Sequence, residues 1–134
     1  MNAQCDASVL LIGDVPRGFE HPQVDLMTAD TGGRAIELLR MLKFDLVVIS
    51  QTLGDMQVWN LVRRMRMAMP NQKWAFVGRE IGARDEVMAR SLGVVGVFDA
   101  EADWSQLLHV AAEIHQRMSA SDRQGMPAAR VAMN

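Results

Sequence analysis

Polar residues that could take part in chemistry follow several apolar runs of the sequence. Asp14 closes the first run, Ser50 closes another and is followed by Asp55, and Asp99 closes the last. Carboxylate oxygens bind hard divalent cations, and carboxylates with a hydroxyl can orient a small ligand. One hypothesis is therefore a small-ligand or metal-binding α/β domain, including an enzyme that uses these strand ends. The scarcity of convergent polar groups counts against that hypothesis.

Other residue types with catalytic or binding potential lack the required spacing. Gly13 and Gly18 have the glycine spacing of a P-loop, but Phe19 and Glu20 stand where the Lys and the Ser or Thr belong. A tight turn at a strand end is the simpler role for Gly13. We predict no nucleotide and no other cofactor.

The histidines and the cysteine do not suggest a metal site. His109 and His115 are six positions apart on one predicted helix, so they face different directions, and His21 is distant in sequence. We predict ordinary surface or rim histidines and no metal ion. Cys5 is the only cysteine, which excludes a disulfide within one chain and favours the reducing cytoplasm.

The composition narrows the class of protein further. The chain has 134 residues, 49% of them hydrophobic, with a formal net charge of −2. This fits one globular domain and offers no general electrostatic attraction to nucleic acid or to an anionic membrane. No apolar run approaches the ~18 residues of a membrane span. We predict neither partner, and no signal peptide at the N-terminus.

Apolar runs and helical periods alternate along the chain. Strands are predicted over residues 9–12, 25–28, 45–49, 74–77 and 94–98, and helices over residues 33–43, 58–69, 84–92 and 104–118. Pro70 ends the second of these helices, Gly93 is a left-handed cap for the third, and Asp103 is an N-cap for the last. Strand–helix alternation predicts an α/β fold, a flavodoxin-like doubly wound five-stranded parallel sheet of order 2-1-3-4-5. Ligands on such sheets sit at the carboxyl ends of the strands.

With these elements in place, the sequence resembles the CheY-like receiver domain of two-component response regulators. Residues 28–39 resemble the turn after the second strand and the second helix of the family. Residues 44–66 align without a gap with the third strand, its loop and the third helix, and residues 89–98 match the segment into the fifth strand. The resemblance covers residues 8–118 and implies a part in two-component signal transduction or a phosphorelay.

The sequence departs from the family at the residues that accept and hold the phosphoryl group. Active receivers have an acidic pair after strand one, an acceptor Asp after strand three, a hydroxyl residue after strand four and a Lys after strand five. The corresponding residues here are Gly13 with Asp14, then Ser50, Gly78 and Ala100. Phosphoryl transfer needs a nucleophile, a carboxylate-held Mg²⁺ and a cation on the phosphoryl oxygens. We predict a degenerate, pseudo-receiver site with no catalytic residue.

The first crossover is short. Residues 15–24 contain Pro16, Gly18 and Pro22, and a βαβ connection usually needs about a dozen residues or more. The first helix is therefore predicted to be shortened or absent, which would expose strand residues such as Leu10 and Ile12. We expect a second copy, giving a homodimer, or a partner's helix to cover a groove beside the last helix. The predicted interaction surface consists of Phe19, Trp104, Leu107, Leu108 and Ala111.

Some side chains allow two interpretations. Arg63, Arg64 and Arg66 form either a solvated helix face or a contact for an acidic partner. Trp59 is either an interface anchor or partly buried at a sheet edge. The 11 Met residues either fill core gaps or line a partner surface.

The main hypothesis is a phosphorylation-independent receiver-like signalling module that acts by protein–protein interaction or dimerisation and is not an enzyme. Its partner would be a protein such as a kinase or regulator of a signalling pathway. Receivers commonly bind through their fourth helix, fifth strand and fifth helix. Residues 119–134 lack a sustained apolar period and are predicted to be a disordered tail, so the domain is residues 8–118.

Overall fold

A computed structural model describes residues 7–14, 24–101 and 103–133 of the chain, with side chains up to residue 118. Its five strands are β1 (Ala7–Ile12), β2 (Val24–Ala29), β3 (Leu46–Ser50), β4 (Trp74–Gly78) and β5 (Val97–Asp99). The helices of the described residues are α1 (Gly32–Met41), α2 (Val58–Ala68), α3 (Ala83–Ser91) and α4 (Trp104–Met133). None of them is long and apolar enough to cross a membrane.

The strands form one parallel sheet in the order β2-β1-β3-β4-β5. This confirms the predicted fold class and strand order. The order changes direction between β1 and β3, where the carboxyl ends of the strands leave a crevice. All helices of the described residues follow β2 in the chain. The predicted loss of the first helix concerns residues 15–23, which lie outside the described residues.

Side chains of alternate strand positions fill a separate core on each face of the sheet. On one face, Leu10 and Ile12 of β1 pack with Phe76 of β4 and with residues of α1, α2 and α3. On the other face, Val9 and Leu11 pack against α4. Of the described helices, α1, α2 and α3 thus cover one face of the sheet and α4 covers the other. A helix in the first crossover would be expected on the same face as α4.

The predicted interaction surface needs correction. The relative exposure of Trp104, Leu107, Leu108 and Ala111 is 1%, 0%, 1% and 0%, because this stripe of α4 packs on the sheet. Phe19 lies outside the described residues. The i, i+3, i+4, i+7 spacing correctly predicts an apolar stripe on the helix. The same spacing occurs in stripes that pack on a core and in stripes that bind a partner, so it does not distinguish the two. Burying a Leu side chain, such as Leu107 or Leu108, stabilises a fold by about 1.5–3 kcal/mol relative to leaving it exposed to water. The stripe therefore stabilises the folded chain.

The exposed sheet that was expected beside the last helix is also absent from the described residues. Leu10 and Ile12 are 0% exposed, and they lie on the face covered by α1, α2 and α3 rather than on the α4 face. On the α4 face, Val9 and Leu11 are 0% and 3% exposed. The single chain therefore covers these strand residues without a second copy.

Local signals at the helix ends behave as predicted in two cases. The last turn of α2 ends at Met69, directly before Pro70. Gly93 has φ +83°, the left-handed conformation that favours glycine after a helix. Asp103 differs in part: its carbonyl oxygen accepts the first helical hydrogen bond of α4, from the Leu107 N–H at 2.9 Å, but its carboxylate accepts from the Asp99 N–H at 3.0 Å.

Two predicted boundaries differ from the structure by three residues or more. Strand β5 begins at Val97 and not at residue 94, because the Val94 N–H donates to the Ala89 carbonyl at 3.2 Å and extends the end of α3. The backbone of α4 is helical to Met133, although residues 119–134 are predicted to be disordered. Good helix formers such as Ala, Arg and Gln continue a helix once its preceding turns exist. Side chains after Met118 lie outside the described residues, so a domain boundary at residue 118 stays a prediction.

Candidate functional site

The residues predicted at the receiver site meet at the carboxyl edge of the sheet. Asp14, Ser50, Gly78 and Ala100 line one open cleft of about 210 Å³. Gly13 adjoins it, since its backbone lies against Ser50 and Thr52. Four sequence positions from four strand ends converge because the carboxyl ends of parallel strands lie at the same edge.

The Gly13 position has no room for a side chain. Its φ is +94°, and its N–H donates to the Ala29 carbonyl at 2.8 Å. A Cβ atom there would lie 2.7 Å from the Thr52 carbonyl oxygen and 2.9 Å from the Leu53 Cδ2 and Ser50 Cβ atoms. A second acidic side chain beside Asp14 is therefore excluded by the backbone conformation and by the loop after β3.

The Gly78 position is closed by a different residue, Gln51. The Gln51 side-chain oxygen accepts a hydrogen bond from the Arg79 N–H at 2.8 Å, and this places the amide group over Gly78. A Cβ atom on Gly78 would lie 2.7 Å from the Gln51 Cδ atom. Sequence reasoning missed Gln51, and its only signal was a long polar side chain directly after the acceptor position.

Ser50 is buried at the end of β3 and contacts the loop that follows. It is 4% exposed, and its hydroxyl oxygen accepts a hydrogen bond from the Thr52 N–H at 3.3 Å. No His or Lys is among the described residues that line the cleft. An unactivated serine hydroxyl needs an adjacent base to attack a phosphoryl group.

Ala100 and Arg79 line the cleft on the side of β4 and β5. Ala100 contributes only a methyl group, and its N–H donates to the Gly78 carbonyl at 3.0 Å. The positive charge lining the cleft is Arg79, whose guanidinium pairs with Glu101 at 3.2 Å. Both side chains are more than two-thirds exposed, so this ion pair contributes about 0–1 kcal/mol to stability.

Two of the three predicted carboxylates, Asp55 and Asp99, accept hydrogen bonds from backbone N–H groups. Asp55 accepts hydrogen bonds from the Gly32 and Gly33 N–H groups at 2.8 and 3.0 Å, at the start of α1. The Gly32 bond, followed by the Gly33 bond, lowers the pKa of Asp55. Asp99 accepts from the Glu101 N–H at 2.8 Å. Among the described residues, no group of three or more His, Cys, Asp or Glu side chains could hold a metal ion.

The histidines lie away from this cleft or outside the described residues. His115 on α4 is 3.0 Å from the Asp45 carboxylate, at the amino end of β3. His109 is exposed and lies 3.8 Å from Glu113 one turn later on the same helix. His21 lies outside the described residues. The two described histidines therefore make separate contacts, each with a carboxylate of its own.

The ambiguous side chains of α2 also have defined positions. Trp59 is half-buried, and its ring lies 5.1 Å from that of Phe76, centroid to centroid. Arg66 reaches over Gly93, while Arg64 lines a groove between α1 and α2. The three arginines thus do not share one environment.

Comparison with known proteins identifies the fold. No family model matches the sequence, and no curated protein matches it. Solved structures do match: the receiver domain of the Francisella response regulator 1452 has a TM-score of 0.73 at 16% identity, covering 84% of this chain and 99% of that one. A CheY-like receiver-domain protein from Methanospirillum hungatei JF-1 has a TM-score of 0.72 at 16% identity, covering 87% and 98%. The non-phosphorylated HemR receiver domain from Leptospira biflexa has 0.69 at 20% identity, covering 82% and 94%. The resemblance to receiver domains is confirmed at the level of the fold.

Proposed function

We propose that this chain, which has the receiver fold, is a signalling module that binds other proteins without being phosphorylated. The observation that supports this most directly is the closure of two positions at the carboxyl edge. The loop after β3 occupies the space of a side chain at Gly13, and Gln51 occupies the space of a side chain at Gly78. A side chain at either position would therefore require a neighbouring part of the chain to move.

The electrostatics of the cleft point the same way. Asp14 is the one carboxylate among the described lining residues, where the family has an acidic pair. The lining cation, Arg79, is paired with Glu101. In place of the second acid and the Lys of the family, the described lining thus offers one carboxylate and an arginine that lies against Glu101.

Hydrogen bonds and one ion pair connect the strand ends across the cleft. Gln51 joins the end of β3 to the loop after β4 through the Arg79 N–H. The Arg79–Glu101 pair and the Ala100–Gly78 hydrogen bond join that loop to the end of β5. Three strand ends are thus connected by contacts of the chain itself.

The partner in this proposal is a protein of a signalling pathway, such as a kinase or regulator, in the cytoplasm. Pairing with a second copy is part of the proposal. It is supported by a groove of about 480 Å³ beside α4, whose apolar lining is Val95, Val110, Ile114 and Met118. Val95 and Met118 are 39% and 48% exposed, so a second α4 would bury apolar surface there. Light scattering at micromolar concentration should give the mass of a homodimer, and a monomer would remove this part of the proposal.

The test of phosphorylation independence is intact-mass spectrometry after incubation with acetyl phosphate and Mg²⁺. We expect an unchanged mass for the natural chain and for Ser50→Asp, because neither the second acid nor the Lys is restored. An active receiver domain in the same reaction is the positive control, and Ser50→Ala is the matched variant. One added phosphoryl group per chain, lost in Ser50→Ala, would refute the proposal.

The competing hypothesis of a small-ligand site or enzyme around Asp14, Ser50, Asp55 and Asp99 makes a separate prediction. A ligand that binds the folded state raises the melting temperature by mass action. Mg²⁺, nucleotides and acetyl phosphate should each leave the melting temperature unchanged under the proposed function. A shift of several degrees that disappears in Asp14→Asn would favour the competing hypothesis.

A further inference from the structure

Two adjoining clefts form one groove between α1 and α2, far from the carboxyl edge. The first cleft, of about 320 Å³, lies between the two helices, and the second, of about 570 Å³, continues past their C-terminal ends. Leu39, Arg40 and Met69 line both clefts, so the two are continuous. We call this surface the α1–α2 groove.

The floor of the groove is apolar and includes adaptable side chains. Ile36, Leu39, Met65 and Met69 line it, and they pack against the core beneath. At its far end, Met41 is 75% exposed, an unusually open position for a large apolar residue. Methionine side chains adapt their shape to a partner, and methionine-rich surfaces commonly bind helices.

The walls of the groove carry a local excess of positive charge. Arg40, Arg64, Lys43 and Lys73 line it, and none of the four forms an ion pair within the described part of the chain. The lining carboxylate, Asp45, accepts from the Ser8 N–H at 2.8 Å and lies 3.0 Å from His115. The whole chain has a net charge of −2, so this concentration of cations runs against the overall balance.

We propose, building on the function proposed above, that the α1–α2 groove binds an acidic amphipathic helix of a partner protein. Apolar residues at i, i+3 or i+4, and i+7 of that helix would lie on the methionine and leucine floor. Acidic residues on its flanks would approach Arg40 on one wall and Arg64 on the other. Complementary charge of this kind selects the partner and speeds its association.

Other occupants fit the groove less well. The tail of this chain, residues 119–134, contains Asp122 but also Arg123 and Arg130, so it carries a net positive charge that the walls would repel. An anionic membrane would meet cations here, but a lipid surface cannot fill concave clefts between two helices. A helix of about 10 Å diameter with projecting side chains can do so.

The test begins with selection from a display library of random helical 16-residue peptides against the full chain. The proposal predicts that the enriched peptides combine an apolar stripe with Glu or Asp on the flanks. Fluorescence anisotropy then compares one labelled peptide on the natural chain and on Arg40→Glu and Arg64→Glu. Each reversal should weaken binding about tenfold or more, since close interfacial charge pairs are worth at least about 1.5 kcal/mol. Arg84→Glu, an exposed arginine on α3, is the matched control and should bind as the natural chain does.

Each other outcome overturns the proposal and names its replacement. Absence of enriched peptides, or peptides unaffected by both reversals, would mean that the groove does not bind a helix. Vesicles of phosphatidylserine and phosphatidylcholine that bind the chain and lose binding with Arg40→Glu would assign the surface to a membrane. A dimer that dissociates with the same variants would assign it to a second copy. None of these results would produce phosphorylation in the mass assay, so the failure of this proposal is separable from that of the function.

Discussion

Gly13 provides the sharpest test of how the receiver site is closed. Replacing it with Ala adds one methyl group at a residue whose φ is +94°. That methyl carbon would lie 2.7 Å from the Thr52 carbonyl oxygen, which belongs to the backbone and cannot rotate away. Both the conformation and the contact therefore oppose even the smallest side chain.

The two effects have separate magnitudes. A non-glycine residue held at positive φ costs about 1–2 kcal/mol. Forcing a methyl group into a filled space costs about 1–3 kcal/mol more. Together they lower the free energy of unfolding by about 2–5 kcal/mol, out of the roughly 5–15 kcal/mol that holds a small domain folded. For a chain of this length the melting temperature should fall by roughly 8–20 °C.

Urea unfolding followed by circular dichroism, together with a thermal melt, measures the change. Gly54→Ala is the matched control, because a Cβ on Gly54 meets nothing within 4 Å and its φ is not positive. This control should be neutral, or slightly stabilising through the lower entropy of the unfolded chain. If Gly13→Ala is as stable as Gly54→Ala, the closed-position reasoning is wrong, and with it the main support for phosphorylation independence.

Three further perturbations test separate contacts. Gly78→Ser should destabilise the natural chain but be tolerated in the Gln51→Ala background, which lacks the side chain over Gly78. A double-mutant cycle in urea should give a coupling free energy of about 1–2 kcal/mol, and additive effects would contradict the assigned contact. His115→Ala should lower the unfolding free energy by about 1 kcal/mol through loss of the Asp45 contact, and His109→Ala, at an exposed site, should change it by less than about 0.5 kcal/mol. Because the pKa of Asp55 is lowered in the folded state, its contribution to stability is complete above about pH 4 and is lost as the pH falls through the folded-state pKa. Asp55→Asn should therefore lose less stability than the natural chain on acidification. Parallel curves of unfolding free energy against pH, measured in urea melts, would oppose this.

The sheet could be predicted from the sequence because its signal is local. Strands buried on both faces read as continuous apolar runs, and alternation with helical periods allows few parallel topologies. The convergence of Asp14, Ser50, Gly78 and Ala100 follows from that topology alone, since each residue comes at or after the carboxyl end of a strand. Pro70 and Gly93 act through their own backbone restrictions and needed no tertiary information.

The role of an apolar stripe could not be predicted from its spacing. Trp104 and Leu107 have the pattern of a docking face and are buried against the sheet. The period of a helix reports which residues share a face, but the neighbour of that face is chosen by the rest of the chain. The start of β5 was misplaced for a similar reason, because Val94 is apolar yet its N–H is used to end α3.

The sequence by itself determined the five parallel strands, their order and the edge where the receiver-site positions meet. The strands can be recognised from the spacing of nearby hydrophobic residues, and the rules for right-handed βαβ connections leave few possible strand orders. Only the tertiary structure decided that Gln51 fills the space over Gly78 and that Asp55 holds the start of α1. It also brought Arg40 and Lys73 to one groove. Each of these contacts joins loops or helices that are distant in sequence. Such contacts depend on how the elements pack in three dimensions, and the spacing of hydrophobic residues within one element does not predict that packing.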